Sequence, residues 1–189
     1  MAFEDNQRFY EGAIKEYGIS ALGVHWSSKE NQYKRFEIIT TLINEKLQSH
    51  SFADIGCGFG EYYQYLLQNN HKNVDYLGID CEKSMITICE RRFPSLKFLL
   101  KNAINDALPQ KDYYLCSGAL NILNKTEFFI FIHNVYLSST KAFIFNFLSS
   151  DSYNYILKKE VIEFCEDLCP NIEIINDYLD NDSTIIMRR

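Results

Sequence analysis

A glycine-rich segment at residues 52–61 has the residue types and spacing that best suit ligand binding. It reads Phe-Ala-Asp-Ile-Gly-Cys-Gly-Phe-Gly-Glu, with glycines at positions 56, 58 and 60. Glycines that follow a strand allow a tight turn and let a ligand approach the backbone closely. An ordinary strand-to-helix turn needs only one glycine. We therefore favour a ligand-binding loop over a purely structural turn.

Two classes of ligand use such a loop, and the spacing of the glycines separates them. The dinucleotide pattern G-x-G-x-x-G requires its last glycine where Glu61 stands if it begins at Gly56, and where Tyr63 stands if it begins at Gly58. Asp54 and Glu61 also place negative charge beside the loop, whereas a pyrophosphate needs positive potential there. Acidic residues suit a ligand that carries an ammonium group and a second positive centre.

Asp80 is a second candidate, because it ends the next predicted strand, twenty residues after Gly60 (80 minus 60). A carboxylate at the tip of that strand can accept hydrogen bonds from both ribose hydroxyls of a nucleoside. The alternative is that Asp80 only caps the helix that follows it. The spacing favours the ribose role.

The pattern Asp54-x-Gly-x-Gly-x-Gly60 resembles the first motif of the class I S-adenosylmethionine-dependent methyltransferases, and residues 76–85 resemble the second. The resemblance covers roughly residues 33–189 and implies S-adenosylmethionine as the cofactor. It places Met85 beside the adenine and Asn102, an Asp in many relatives, against the adenine amino group. It also turns the segment around Ser117 toward the methionine part. The cofactor-binding residues predicted in this way are Asp54, Gly56, Cys57, Gly58, Gly60, Asp80, Cys81, Met85, Asn102, Ala103 and Ser117.

Residues near the N-terminus are further candidates for cofactor contacts or for a catalytic base, and most of them also have a purely structural explanation. Arg35 lies on a predicted helix that begins with a capping box at residues 27–30, and it could hold the cofactor carboxylate or belong to a solvated charged face. Tyr10 and Trp26 could close over the cofactor or anchor this segment on the core. His25 is a candidate base. Methyl transfer depends mainly on positioning, so no catalytic residue is assigned.

The predicted elements would bring these residues to the ends of strands. From residue 51 onward strands and helices alternate, which is typical of a mainly parallel sheet covered by helices on both faces. The last two strands, 172–178 and 184–187, are close enough only for an antiparallel hairpin. We expect a Rossmann-like α/β fold with a seven-stranded, mostly parallel sheet and an antiparallel strand near the C-terminus. It would occupy residues 33–189, preceded by an N-terminal lid at 1–32.

Composition narrows the possible partners and the compartment. The chain of 189 residues carries a formal net charge of -6 and shows no basic stripe, so nucleic acid is a poor candidate substrate. Its six cysteines lack the spacing of a zinc site, and no metal is expected. They indicate a reducing compartment. The apolar stretches are too short to span a bilayer and the N-terminus lacks an apolar signal region, so we expect a cytoplasmic protein.

The sequence therefore predicts a methyltransferase that acts on an oxygen or nitrogen atom of a small molecule. The motifs of amino-directed nucleic-acid enzymes (N-P-P-Y) and of cytosine methylation (Pro-Cys) are missing. Residues 26–36 and 145–149 resemble a group of small bacterial methyltransferases. Two alternatives stay open: a non-catalytic sensor or scaffold that binds S-adenosylmethionine, and a nicotinamide-dependent oxidoreductase, which the acidic loop disfavours. Neither the acceptor nor the oligomeric state follows from the sequence.

Overall fold

Seven strands form one sheet in the computed structural model, which describes residues 28–149 and 156–189. The strands are β1 Ser51–Ile55, β2 Asp75–Asp80, β3 Lys97–Leu100, β4 Lys111–Ser117, β5 Ser139–Leu148, β6 Ile172–Asn176 and β7 Asp182–Arg188. Their order across the sheet is β3-β2-β1-β4-β5-β7-β6. Neighbouring strands are parallel except at β7, which is antiparallel to β5 and β6. The predicted fold class is confirmed.

Five α-helices occur among the described residues. They are α1 Lys29–Ile43, α2 Glu61–Gln68, α3 Lys83–Arg92, α4 Lys125–Ser138 and α5 Lys158–Leu168. The N-cap of α1 is Ser28, whose Oγ accepts a hydrogen bond from the backbone N–H of Asn31 at 3.1 Å. The predicted capping box was thus placed one residue too early. In the part of the chain that the structure describes, no helix combines the length and apolar character needed to cross a bilayer.

The N-terminal candidates Tyr10, His25 and Trp26 lie outside the described residues. Helix α1 begins at Lys29 and continues through the predicted boundary between residues 32 and 33. The division of the chain into an N-terminal lid and a following domain therefore stays a prediction.

Each face of the sheet has its own hydrophobic core. Phe143, Phe145 and Phe147 of β5 belong to the core shared with α4 and α5, whereas Ala142 and Ile144 belong to the core shared with α1, α2 and α3. All five residues are at most 1% exposed. A strand that is buried on both faces needs apolar residues at successive positions. This burial explains why the sequence of β5 is continuously apolar instead of alternating.

The strand order reverses between β1 and β4, which are neighbours in the sheet although they are far apart in the chain. Ligands of open α/β sheets bind beyond the carboxyl ends of the strands at such a reversal. The glycine loop after β1, Asp80 at the end of β2 and Ser117 at the end of β4 all lie there. We call this region, where β1 to β5 end, the carboxyl end of the sheet.

Helix α1 connects this end of the sheet to the antiparallel strand. Because its C-terminal side leads to the start of β1, its first turns lie at the carboxyl end. There the Nε of Arg35 donates to the two carboxylate oxygens of Asp182 at 2.9 and 2.8 Å, and Nη2 donates to the same group. The side chains of Arg35 and Asp182 are 9% and 1% exposed. This buried ion pair joins α1 to the first residue of β7.

We expect Arg35→Met to lower the free energy of unfolding by about 3 kcal/mol, because it leaves a buried carboxylate without its cation. Urea denaturation would measure the change. The control is Lys34→Met, which removes an exposed ion pair with Glu37 and should cost less than about 1 kcal/mol. Equal losses in the two variants would contradict a structural role for the buried pair.

Candidate functional site

The glycine loop turns through three left-handed residues. Gly56, Gly58 and Gly60 have φ angles of 77°, 53° and 76°. The backbone N–H groups of Gly56 and Cys57 both donate to the carbonyl oxygen of Ile79, at 2.8 and 3.1 Å, so the loop is held against the end of β2. L-residues with side chains rarely adopt these φ angles. The turn itself therefore uses all three glycines, more than the single one that an ordinary turn requires.

Close packing is a further reason why two of these positions must be glycine. A Cβ atom at Gly56 would lie 2.4 Å from the Cβ of Ala119, and one at Gly60 would lie 2.8 Å from the ring of Phe93. Both distances are too short for carbon atoms. The number of glycines is thus explained by backbone geometry and packing, and it does not by itself indicate a ligand. The case for a ligand rests on the acidic side chains beside the loop.

Asp80 is held rigidly beside the loop. Its Oδ2 accepts a hydrogen bond from the N–H of Gly58 at 2.8 Å, and its Oδ1 accepts one from the N–H of Glu82 at 2.9 Å. The side chain is 8% exposed, and burial raises the pKa of this carboxyl although the backbone hydrogen bonds oppose the change. Each carboxylate oxygen can accept a second hydrogen bond. The group is therefore positioned to accept two ribose hydroxyls, although it also orders the start of α3.

Asp54 is a buried acid beneath the loop. One oxygen accepts a hydrogen bond from the hydroxyl of Tyr76 at 2.6 Å, and the residue is 4% exposed. Burial raises the pKa of Asp54 to about 7, the Tyr76 hydrogen bond lowers it, and the nearby charge of Asp80 raises it further. A positively charged ligand would favour the ionised form of this carboxyl.

Glu61 contributes less negative charge than the sequence suggests. Its carboxylate pairs with Nη1 of Arg92 at 2.6 Å, and the same nitrogen donates to the carbonyl oxygen of Phe59 at 2.7 Å. Arg92 is the last residue of α3, so the loop is also tied to that helix. The preference for a cationic ligand therefore rests on Asp54 and Asp80.

The cysteines and the methionine near the loop pack around it. The thiol of Cys89 donates to the carbonyl oxygen of Gly58 at 3.0 Å, and Cys57 is 6% exposed. Burial raises the pKa of Cys81 to about 12, so this side chain stays a neutral thiol. Met85 is 2% exposed on α3. Contacts of Cys57, Cys81 and Met85 with the cofactor stay predictions.

The loop after β3 carries Asn102 and Ala103 at the carboxyl end of the sheet. The side-chain oxygen of Asn102 accepts a hydrogen bond from the N–H of Ile104 at 2.9 Å, so part of its accepting capacity is used within the loop. Asp106 accepts from the N–H of Asn102 at 2.7 Å. Nδ2 of Asn134, on α4, donates to the carbonyl oxygens of Ala103 and Ile104 at 2.9 and 3.2 Å. The loop is thus fixed before any adenine reaches it.

Asn146 is a polar residue in the apolar strand β5, and its hydrogen bonds explain why it is there. It is fully buried, its Oδ1 accepts from the N–H of Gly118 at 3.1 Å, and its Nδ2 donates to the hydroxyl of Ser117 at 3.1 Å. A buried polar residue can satisfy a buried backbone group, and Asn146 does so for the N–H of Gly118. These bonds hold the end of β4 in place.

Sequence reasoning missed several residues at the carboxyl end. Asn134 supports the loop after β3, Asp182 pairs with Arg35, and Glu82 is a buried carboxyl next to Asp80. Gln32 is buried, and its Oε1 is the only buried side-chain oxygen or nitrogen without a hydrogen bond within residues 28–149 and 156–189. Glu82 was detectable as a neighbour of Asp80, whereas the other three depend on contacts between distant segments.

Arg35 lies at the carboxyl end, but its described partner is Asp182 and not a ligand. The charged-face alternative is wrong, because the side chain is buried. Its contact with the cofactor carboxylate stays a prediction. Among the described residues, no three His, Cys, Asp or Glu side chains are grouped as a metal site would require.

The raised pKa of the buried Asp54 carboxyl predicts how the free energy of unfolding depends on pH. Because its pKa is raised from 3.8 to about 7, the folded chain binds more protons than the unfolded chain between these values. The contribution of Asp54 to the free energy of unfolding is therefore present at low pH and is lost as the pH rises toward 7. Urea denaturation at several pH values should show this decline in the original protein and not in Asp54→Asn.

The control for this measurement is Asp112→Asn. The hydrogen bonds that Asp112 accepts from Ser51 and Thr140 lower its pKa, so its contribution has the opposite dependence: it is present above the unfolded pKa and is lost as the pH falls. An identical pH dependence in Asp54→Asn and the original protein would show that Asp54 does not titrate as its burial implies.

Comparison with known proteins supports the fold described above. Residues 53–141 match a family described as a methyltransferase domain. No curated protein matches the chain by sequence. Among solved structures, the plantazolicin methyltransferase BpumL has a TM-score of 0.71 at 11% identity, with 97% of this chain and 95% of that chain covered. A TehB-like S-adenosylmethionine-dependent methyltransferase from Corynebacterium glutamicum has a TM-score of 0.69 at 13% identity, covering 98% and 99%.

A third similar structure is the magnesium protoporphyrin IX methyltransferase ChlM from Synechocystis, determined with bound S-adenosylmethionine. Its TM-score is 0.66 at 13% identity, with 85% of this chain and 82% of that chain covered. At such identities the likeness of the structures shows the fold, and the family match comes from the segment that holds the glycine loop and Asp80. Residues 53–141, which carry these motifs, therefore match a methyltransferase-domain family, and the chain has the fold of S-adenosylmethionine-dependent methyltransferases.

Proposed function

We propose that this protein transfers the methyl group of S-adenosylmethionine to an oxygen or nitrogen atom of a small molecule. The observation that carries the proposal is the Asp80 carboxylate, which two backbone N–H groups hold beside the glycine loop. A buried and oriented carboxylate at the tip of the second strand suits the paired hydroxyls of a ribose. Asp54 adds a second buried acid, close enough to Asp80 for the two charges to interact.

The described residues fit the chemistry of this cofactor. The two oxygens of the Asp80 carboxylate can accept further hydrogen bonds, which suits the two hydroxyl donors of a ribose. Asp54 stabilises positive charge when it is ionised. The bound cofactor supplies an electrophilic methyl group on a positively charged sulfur. The remaining task of the chain is to hold the acceptor atom in line with that methyl group and to exclude water. That task explains why no catalytic side chain is required.

The small-molecule acceptor follows from charge and from the acceptors of similar proteins. The net charge of -6 gives no support for a nucleic-acid substrate. ChlM is named for magnesium protoporphyrin IX and BpumL for plantazolicin. Six free cysteines, five of them buried, are consistent with a reducing compartment. On this basis we propose a cytoplasmic location.

Cofactor binding is tested first by Asp80→Ala. This variant should weaken the binding of S-adenosylhomocysteine by roughly one to two orders of magnitude, because a ribose contact is lost. Isothermal titration calorimetry would measure the change. The control is Asp75→Ala, which removes an exposed carboxylate from the same strand and should leave the affinity unchanged.

Asp80 also orders the glycine loop, so a ribose-modified ligand separates its two roles. The original protein should bind the 2′-deoxy analogue of S-adenosylhomocysteine more weakly than the parent compound. Asp80→Ala should discriminate less between the two. Unchanged discrimination in the variant would mean that Asp80 does not contact the ribose, and no binding of S-adenosylhomocysteine to the original protein would overturn the proposed function.

Methyl transfer is tested by incubating the protein with tritiated S-adenosylmethionine and a library of metabolites. We expect a labelled small-molecule product, together with S-adenosylhomocysteine, from the original protein and far less from Asp80→Ala at limiting cofactor. Binding of the cofactor without any labelled product across broad cell extracts would instead support the sensor or scaffold hypothesis. Stabilisation by NAD and not by S-adenosylhomocysteine in a thermal-shift assay would support the oxidoreductase.

A further inference from the structure

Gln32 has a buried amide oxygen that forms no hydrogen bond within the described part of the chain. It is 3% exposed, and its Oε1 has no hydrogen-bond partner. Buried polar groups in folded proteins are almost always hydrogen-bonded, because an unpaired group has lost its water without compensation. An unpaired buried amide oxygen therefore needs an explanation. One explanation is that a bound ligand supplies its hydrogen-bond partner.

The position of Gln32 is defined by helix α1. Arg35 and Phe36 lie three and four residues after Gln32, so all three share the buried face of the helix. Arg35 reaches Asp182 at the carboxyl end of the sheet. Gln32 lies one turn closer to the helix N-terminus, or about 4.5 Å further along the axis. Since α1 runs toward the start of β1, this step leads beyond the strand ends, to the side where the glycine loop lies.

The neighbouring strands indicate which part of a ligand is near Gln32. Helix α1 packs against β4 and β5. Strand β4 ends at Ser117, and Asn146 holds Ser117 and the following Gly118 in place. Asp80 and the loop around Asn102 lie on the other side of β1, beyond β2 and β3. The ribose and adenine contacts therefore belong to that side. The opposite end of the same nucleoside would extend toward β4 and α1.

We propose that the side-chain amide of Gln32 binds the amino-acid end of the methionine part of S-adenosylmethionine. This inference rests on the proposed function. An amide has one accepting oxygen and a donating NH₂ group, so it can accept a hydrogen bond from an ammonium and donate one to a carboxylate. The amino-acid end of the ligand carries both groups. Arg35, one turn away, pairs its charge with Asp182.

The test compares two ligands and two variants. S-adenosylhomocysteine has the amino-acid end, whereas 5′-methylthioadenosine keeps the adenosine and the sulfur but lacks it. Gln32→Leu should weaken the binding of S-adenosylhomocysteine by roughly tenfold or more and leave the binding of methylthioadenosine unchanged, since only the former loses a polar contact. The control is Gln68→Leu, the same chemical change at an exposed helical position that accepts a hydrogen bond from Tyr33. It should change neither affinity.

Thermal unfolding of the ligand-free protein separates a binding role from a structural one. Because Gln32→Leu removes an unpaired buried polar group, its unfolding midpoint should be equal to or higher than that of the original protein. A lower midpoint, with both ligands weakened equally, would show that Gln32 supports the fold and would overturn the inference. Unchanged affinity for S-adenosylhomocysteine would overturn it as well. Failure of the original protein to bind S-adenosylhomocysteine would instead remove the proposed function on which it rests.

Discussion

The candidate site depends on the hydrogen bonds that the Asp80 carboxylate accepts. The carboxylate joins the glycine loop after β1 to the start of α3 through the N–H groups of Gly58 and Glu82. Burying this carboxylate costs desolvation energy, which the charge-assisted hydrogen bonds from the backbone offset only in part. The same bonds give the group one orientation. The side chain that orders the loop is therefore the one for which we propose a contact with the ribose.

The loop around Asp80 is ordered by packing and by ion pairing as well as by glycine. Ala119 and Phe93 leave no space for a Cβ atom at Gly56 and Gly60, and Arg92 ties the beginning of α2 to the end of α3. Asn134 and Asn146 hold the neighbouring loops in the same way. A binding surface that is already fixed loses little conformational entropy when a ligand arrives.

Much of the fold could be predicted because its signals are local. We predicted the strands and their alternation with helices from the apolar runs and the turn residues. The short closing connection predicted the antiparallel hairpin. The position of Asp80 was predicted by spacing, because the carboxyl ends of parallel strands meet at one end of the sheet. The capping box of α1 was placed one residue early, since Ser27 and Ser28 are equally good N-caps by composition.

The sequence by itself determined the type of sheet, the loop after β1 and the acidic residues that flank it, because these depend on neighbours along the chain. Only the tertiary structure decided which of these acids keep their charge. Arg92 neutralises Glu61, and burial raises the pKa of Asp54. The tertiary structure also paired Arg35 with Asp182 and left the buried Oε1 of Gln32 without a hydrogen bond. The physical reason is the same in each case: desolvation and pairing are set by residues that are distant in the chain and meet only in the folded protein.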